Sequence, residues 1–183
     1  MKILFFVSMP FPEGGANTRR IHIMAQEMVE QGVQVSFLIP FARRYVPKTQ
    51  SIDGIKVDWC YVPESTSKLV YKNGRVRFWV QVRSRLLALF RLFQISLRDE
   101  YDWLYLYQPM IDGLLAAIIA RITGHKVWSE YVDRIESDKN ASLSTKLFYF
   151  TWRIADICVP KLSTIICVIS SILEQRYHHL APK

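Results

Sequence analysis

The chain has 183 residues, of which 50% are hydrophobic and 22% charged, so its composition is that of a folded globular protein and excludes a disordered chain. This length suits one domain with a sizeable core. The formal net charge is +8, but eight basic residues and no acidic residue lie between Lys68 and Arg98. The positive charge is therefore a local feature, and the remainder of the chain is close to neutral.

The chain begins with a predicted strand, glycine turn, helix and second strand. The apolar run from Ile3 to Val7 is typical of a strand buried on both faces. After the turn from Phe11 to Asn17, apolar residues recur at helical spacing between Ile21 and Val29, and Gly32 is a typical helix end. Val33 to Ile39 is the next predicted strand. Because this is a βαβ unit, the turn lies where open α/β sheets bind ligands, at the carboxyl end of the first strand.

The remainder of the chain alternates strands with helices. A polar connection is predicted from Thr49 to Gly54. The later predicted strands are Ile55 to Val62, Asp102 to Tyr107, Lys126 to Glu130 and Thr164 to Ile169. The later predicted helices are Arg75 to Leu97, Ile111 to Thr123, Ser142 (as cap) to Cys158, and Ser171 to Tyr177. About six strands and at least four helices in this order predict an α/β fold, a Rossmann-like three-layer α/β/α sandwich with a mainly parallel sheet.

The long helix from Arg75 to Leu97 has an apolar side and a basic side. The apolar side is expected to pack on the sheet and comprises Phe78, Val82, Leu86, Leu89, Phe93 and Leu97. The basic side carries the candidate membrane-facing residues Arg77, Arg83, Arg85 and Arg91. Two interpretations stay open, a solvated face on a core-packing helix and attachment to an anionic membrane surface. Nucleic-acid binding is disfavoured, because no recognisable reading module accompanies the basic stretch.

Signals for targeting and redox environment predict a cytoplasmic protein. No basic-apolar-small signal peptide opens the chain. The apolar stretch nearest to membrane-spanning length, Leu143 to Val159, is interrupted by charged residues. The three cysteines (Cys60, Cys158 and Cys167) lack metal-binding or CxxC spacing, which favours buried thiols in a reducing compartment. We therefore expect a cytoplasmic location, with peripheral attachment at the inner face of the cell membrane left open.

The opening glycine turn is a candidate anion-binding element. Gly14 and Gly15 let the backbone approach a ligand, and the following helix offers unpaired N–H groups to an anion. The dinucleotide pattern GxGxxG lacks its third glycine here, and no GxxxxGK[ST] sequence occurs, which disfavours a P-loop nucleotide hydrolase. A tight turn without a ligand is the alternative interpretation.

Three segments of the chain carry recognisable patterns: Gly14 to Val35, Tyr101 to Pro109 and Gly124 to Asp133. Together they resemble the family 4 (group 1) glycosyltransferases of the GT-B fold. Residues Gly14 to Val35 (GGANTRR and the helix after it) are similar to the family's GGA turn, arginine-bearing first helix and "GHxV" entry into strand two, with Val33 in place of the histidine. Residues Tyr101 to Pro109 (YDWLYLYQP) resemble its "YDxIxxxxP" segment, and Gly124 to Asp133 (GHKVWSEYVD) its "GxPxVxExxD" segment. Val168 to Ser170 resembles the segment before the crossing to the second domain.

The resemblance implies that residues 1–183 are one Rossmann-like half of a GT-B enzyme, the acceptor-side domain. The C-terminal domain that holds the donor is then expected to be absent from this chain, which alone is expected to be inactive. The implied activity is retaining transfer of a sugar (hexosyl) from a nucleotide sugar to a glycan or lipid-linked acceptor, as in cell-surface polysaccharide biosynthesis. The nucleotide sugar is a substrate, and neither a cofactor nor a metal is implied.

The resemblance also implies roles for individual residues. Gly14 and Gly15 would face the donor diphosphate, and Glu130 and Asp133 would be the catalytic carboxylates near the acceptor. The alternative for this carboxylate pair is a solvated loop or a helix cap.

Acceptor binding is expected at Arg19, Arg20 and Tyr131, with an exposed helix face as the alternative for the arginines. The four histidines are too scattered or too close to the end of the chain to predict a metal site. Two other functions stay open: a non-catalytic Rossmann-like domain that docks on membranes, and half of a GT-B-type nucleotide-sugar epimerase.

Overall fold

The computed structural model of the protein describes residues 1–9, 11, 15–41, 47–61, 74–132, 143–178 and 180, without the side chains at 41, 74–77, 143, 144, 147 and 148. The chain divides into two compact units, Met1–Asp102 and Trp103–Lys183. Gly14 and Asp133 of the predicted site, and the side chain of Arg77, lie outside the described residues.

The first unit contains four strands and two helices. They are β1 (Lys2–Phe6), α1 (Ala16–Glu30), β2 (Gln34–Phe41), β3 (Thr49–Ile52), β4 (Ile55–Tyr61) and α2 (Gly74–Leu97). The strands lie in the order β3-β4-β2-β1, with β1, β2 and β4 parallel. Phe37 of β2 stacks on Phe5 of β1, with ring centroids 4.9 Å apart, and on Phe11, 4.5 Å away. These apolar runs form strands because both faces of the sheet are covered.

The end of α1 and the start of β2 follow the sequence prediction. Gly32 has φ of +81°, the left-handed conformation that glycine adopts at little cost, and its N–H donates to the carbonyl of Val29 at 2.9 Å. Only residues 31–33 therefore separate the helix from β2.

The predicted connection from Thr49 to Gly54 is wrong, because residues 49–52 form an additional strand. β3 pairs with β4 in antiparallel register, with Ile52 opposite Ile55. Asp53 and Gly54 both have positive φ, 51° and 78°, as a two-residue hairpin turn of type I′ requires. The dipeptide Asp-Gly is the sequence signal that predicts such a turn, although three of the four residues of β3 (Thr49, Gln50 and Ser51) are polar and exposed.

The predicted packing face of α2 is also wrong. The residues of α2 that are buried are Ser84, Ala88, Leu89, Leu92, Ile95 and Ser96, and all of them except Leu89 lie outside the predicted face. Of the six residues expected to pack on the sheet, only Leu89 is buried, whereas Phe78, Leu86, Phe93 and Leu97 are exposed. Small side chains bring a helix close to a sheet, so this face packs although it is the less hydrophobic one.

The second unit contains three parallel strands and three helices. They are β5 (Trp103–Tyr107), α3 (Ile111–Ile122), β6 (Lys126–Tyr131), α4 (Leu143–Leu162), β7 (Ile165–Val168) and α5 (Ser171–Tyr177). The strands lie in the order β5-β6-β7. Ser170 caps α5 by accepting a hydrogen bond from the N–H of Leu173 at 3.3 Å. In the described part of the chain, no helix is long and apolar enough to cross a membrane.

The predicted fold class is confirmed. Within each unit the described strands are parallel except β3. Strands alternate with helices from β1 to β2 and from β5 to α5, whereas β2, β3 and β4 follow one another in the described part of the chain. This is the α/β, Rossmann-like arrangement that the alternation of apolar runs predicts.

The three cysteines are free and half-buried, rather than fully buried as predicted. Burial, and next the Asp58 carboxylate, raises the pKa of the Cys60 thiol to about 12, so this thiol stays protonated at neutral pH. Cys167 accepts a hydrogen bond from Nε1 of Trp128 at 3.2 Å. The Cys60 thiol is therefore a poor nucleophile at neutral pH, because the thiolate is the reactive form.

Candidate functional site

The amino end of α1 is the candidate site of the first unit. Gly15 precedes the helix with an extended backbone (φ −76°, ψ −163°), and no atom lies within 4 Å of the position that a Cβ would occupy. The N–H of Arg19 makes the first helical bond, to the carbonyl of Gly15 at 3.2 Å. The preceding N–H groups of the first turn have no partner within the helix, and no acidic side chain stands there to occupy them.

The amino end of α1 is held in place by a buried threonine and carries two exposed arginines. Thr18 is buried and its hydroxyl donates to Sδ of Met9 at 3.4 Å, which holds the first turn against the segment that follows β1. Arg19 and Arg20, the predicted acceptor-binding pair, are both exposed. Open N–H groups with neighbouring guanidinium groups attract anions such as phosphate.

The carboxyl ends of β5 and β6 form the candidate site of the second unit. Tyr107 and Glu130 are register partners at these ends. Gln108 follows Tyr107 with a φ of +44°, and its N–H donates to the carbonyl of Glu130 at 2.8 Å. Its side-chain oxygen accepts from the N–H of Val132 at 2.9 Å. Gln108 thus joins the two strand ends, and sequence reasoning missed this role because it treated the Gln-Pro pair as a turn only.

Glu130, the predicted catalytic carboxylate, is 4% exposed. Its Oε2 accepts a hydrogen bond from the hydroxyl of Tyr105, two residues before the end of β5. The Tyr105 ring is in turn held edge-to-face by Trp128, with ring centroids 5.2 Å apart. The carboxylate therefore has a fixed orientation within the second unit, and its catalytic role stays a prediction.

Tyr131, the predicted acceptor-binding residue, lies in a buried cluster. Its ring stacks on that of Tyr177 at 4.3 Å and 29°, and it is 1% exposed. The Tyr177 hydroxyl and the Arg176 guanidinium both donate to the carboxylate of Asp156, which is itself buried. The cluster ties β6 to α4 and α5, so Tyr131 contributes to the packing beneath the strand end.

Burial keeps the hydroxyls of this cluster protonated. Burial raises the pKa of Tyr131, and the neighbouring Tyr177 and Asp156 raise it further. Burial and then the hydrogen bond to Asp156 raise the pKa of Tyr177. Each phenol therefore stays protonated throughout the physiological range, and that of Tyr177 donates a hydrogen bond to Asp156.

Gly113 in the first turn of α3 lies against the turn after β5. A Cβ at this position would come within 2.8 Å of the Cβ of Pro109, closer than two carbon atoms approach without displacement. We expect Gly113→Ala to lower the free energy of unfolding by about 1–3 kcal/mol, measured by urea denaturation. Gly15→Ala is the control, because its new methyl group meets no atom within 4 Å and the expected change is below about 1 kcal/mol. Equal losses in the two variants would contradict the close contact.

A cavity of about 240 Å³ lies at the opposite, amino ends of the strands in the first unit. Its lining includes Lys2 of β1, Gln34 of β2, and Lys56 and Asp58 of β4, and the two β4 side chains pair at 3.5 Å. The positive and negative side chains that line this cavity balance in charge. The cavity is remote from the end of β1 that leads to α1. Within the described ranges, no group of three potential metal ligands occurs.

Solved structures with a similar fold bind nucleotide sugars. The E. coli protein described as "trehalose-6-phosphate from E. coli bound with UDP-2-fluoro glucose" matches 98% of this chain with a TM-score of 0.52 and 8% sequence identity. Phytolacca americana UGT2, complexed with UDP-2-fluoro-glucose and pterostilbene, matches 73% of it with a TM-score of 0.46 and 14% identity. The fold is that of a GT-B glycosyltransferase domain. No protein-family model matches the sequence, and no curated protein is significantly similar to it.

The GT-B likeness covers part of each neighbour. The chain spans 42% of the length of the E. coli protein and 30% of that of the Phytolacca americana protein. Within this GT-B-type fold, the described site residues form two groups. Gly15, Arg19 and Arg20 belong to the first unit, and Glu130 and Tyr131 belong to the second.

Proposed function

We propose that this chain is the acceptor-side domain of a retaining glycosyltransferase that uses a nucleotide-sugar donor. The observation that carries the proposal is the open amino end of α1, which follows β1 in a GT-B-type fold. The N–H groups of Ala16 and Asn17, which have no partner within the helix, lie beside Arg19 and suit the diphosphate of a donor. The similar E. coli protein was solved with UDP-2-fluoro glucose, a donor of this class.

The proposed reaction requires positive electrostatic potential at the amino end of α1. In sugar transfer the bond between the anomeric carbon and the diphosphate oxygen breaks, and a new bond forms to an acceptor hydroxyl oxygen, which loses its proton. Negative charge develops on the leaving diphosphate. The N–H groups after Gly15 would stabilise that charge most strongly in the transition state, when the leaving group is most negative.

Glu130 and Asp133 are the proposed carboxylates near the acceptor. The hydroxyl of Tyr105 holds Glu130 in one orientation, and Gln108 holds the backbone around it. A carboxylate held in this way can orient an acceptor or stabilise positive charge on the sugar ring without reorganising during the reaction. The proposed acceptor is a glycan or a lipid-linked sugar.

A second domain is proposed to complete the donor site. The chain spans less than half of the similar E. coli protein, so a cleft of two Rossmann-like domains would place only one wall here. We expect the 183-residue protein to bind a donor diphosphate weakly and to transfer no sugar. Transfer to any acceptor by this protein alone would contradict the two-domain site.

Binding can be tested by titrating UDP, UDP-glucose and ADP-glucose at millimolar concentration into ¹⁵N-labelled protein. We expect shifts of the amide signals of residues 15–19, at the amino end of α1. Arg19→Ala should weaken binding by about 3–10-fold, the loss of one charge-assisted contact. Arg121→Ala, which removes an exposed arginine at the end of α3, should leave it unchanged. Absence of amide shifts at α1 with every diphosphate, or equal effects of both variants, would overturn the proposal.

A further inference from the structure

The outward side of α2 is a continuous apolar strip. Six positions spaced by three or four residues fall on one side of the helix, and five of them are apolar: Trp79, Leu86, Phe90, Phe93 and Leu97. Their side chains are between 37% and 68% exposed. Single exposed apolar residues are ordinary, whereas a strip over five turns of one helix marks a surface that contacts something apolar.

The core of the first unit does not need this strip. The opposite side of α2 is already buried through Ala88, Leu92 and Ile95. Ser84 and Ser96 on that side direct their hydroxyls to carbonyls of their own helix, at Gln81 and Leu92. The exposed strip is therefore an addition to the packing that holds α2 in place.

The charge of α2 limits what can cover the strip. The sixth outward position is Arg83, between Trp79 and Leu86, and it is exposed. The helix and the residue after it, residues 74–98, contain six arginines and no acidic residue. The part of the chain that the structure describes supplies no carboxylate partner for Arg83.

We propose that this strip docks on a membrane surface that contains anionic lipid. Trp79, Phe90 and the leucines would enter the boundary between headgroups and acyl chains, where amphipathic aromatic side chains are favoured. Arg83, on a long flexible stem, would reach the phosphate groups. The proposal rests on the exposed surface of α2 and does not depend on sugar transfer.

A second copy of the chain is the less favourable occupant. Pairing two strips about a twofold axis buries both copies of Arg83 in a largely apolar contact, and an unpaired buried charge costs several kcal/mol. Anionic lipid removes this penalty, because each arginine meets a phosphate. The apolar residues of the strip then meet the boundary with the acyl chains, and Arg83 meets the anionic headgroups of the same membrane.

The first test is co-sedimentation of the 183-residue protein with vesicles of phosphatidylcholine alone or mixed with phosphatidylglycerol. We expect binding to the mixed vesicles, reduced by high salt, and little binding to phosphatidylcholine. The double variant Trp79→Ser, Phe90→Ser should lose at least about tenfold in affinity, since it removes two buried aromatic anchors. Phe150→Ser, at an equally exposed position on α4, is the matched control and should bind normally. Failure to bind mixed vesicles, or equal loss in the control, would overturn the proposal.

Further measurements test the electrostatic contribution to membrane binding, the folding of each variant and the alternative of a dimer. Arg83→Glu should weaken binding several-fold and reduce its salt dependence, whereas Arg121→Glu on α3 should do neither. Circular dichroism checks that each variant is folded, as expected for changes at exposed positions. If sedimentation equilibrium without vesicles instead shows a dimer that Trp79→Ser, Phe90→Ser dissociates, the strip joins two copies and the membrane proposal is wrong.

Discussion

Asp156→Ala is expected to lower the free energy of unfolding by about 2–4 kcal/mol, because it removes the one carboxylate that two donors share. The Tyr177 hydroxyl is buried and loses its acceptor. Arg176 is 35% exposed, so its charge can recover part of its hydration, which keeps the loss below that of a fully buried pair. Urea denaturation followed by far-UV circular dichroism measures the change.

The control for this prediction is Glu174→Gln, an exposed carboxylate on α5. Glu174 lies in the first turn, where it interacts with the helix dipole, and its loss should cost below about 1 kcal/mol. Tyr177→Phe should cost less than Asp156→Ala, because it removes one donor and leaves the ion pair to Arg176. A change at Asp156 no larger than that at Glu174 would show that the buried cluster does not stabilise the second unit.

Leu92→Ala on α2 is expected to destabilise the protein by about 2–5 kcal/mol, the range for a fully buried leucine. Leu92 has no exposed surface and lies on the side of α2 that packs on β2 and β4. Phe90→Ala, two residues earlier on the same helix, should change stability by about 0.5 kcal/mol or less, because that ring is 61% exposed.

The pair of α2 variants tests which side of the helix is buried. The hydrophobic periodicity alone predicts that Phe93 and Leu97 pack on the sheet, whereas the structure buries Leu92 and Ile95. A larger loss for Phe90→Ala than for Leu92→Ala would therefore reverse the orientation of α2. It would also remove the basis for the proposed membrane contact, since the apolar strip would then face the strands.

Local sequence was sufficient to predict the elements whose signals lie within a few residues of one another. β1, α1 and β2 follow from an apolar run, a helical stripe and Gly32, whose positive φ ends the helix. The bounds of α5, Ser171–Tyr177, agree with the prediction, because Ser170 supplies the cap. The hairpin of β3 and β4 was missed although Asp53-Gly54 indicated it, since polar residues were taken as a connection.

The side chains of the candidate site were predicted less completely. Arg19, Arg20, Glu130 and Tyr131 belong to turns and strand ends that the sequence located. Their partners were not visible, because Tyr105 and Glu130 are 25 residues apart, and Asp156 and Tyr177 are 21 apart. Whether such pairs meet depends on strand order and register, which hydrophobic periodicity does not encode.

The sequence by itself determined that this protein is an α/β chain of mainly parallel strands with a glycine turn after the first of them. Local propensity, periodicity and caps act over a few residues, so they determine which elements form. Only the tertiary structure decided which side of α2 faces the strands and that Glu130 is held by Tyr105. Both depend on how closely a helix or strand can approach its neighbour. On α2 the small residues Ser84 and Ala88 allowed a closer fit than the large apolar side, which remained exposed.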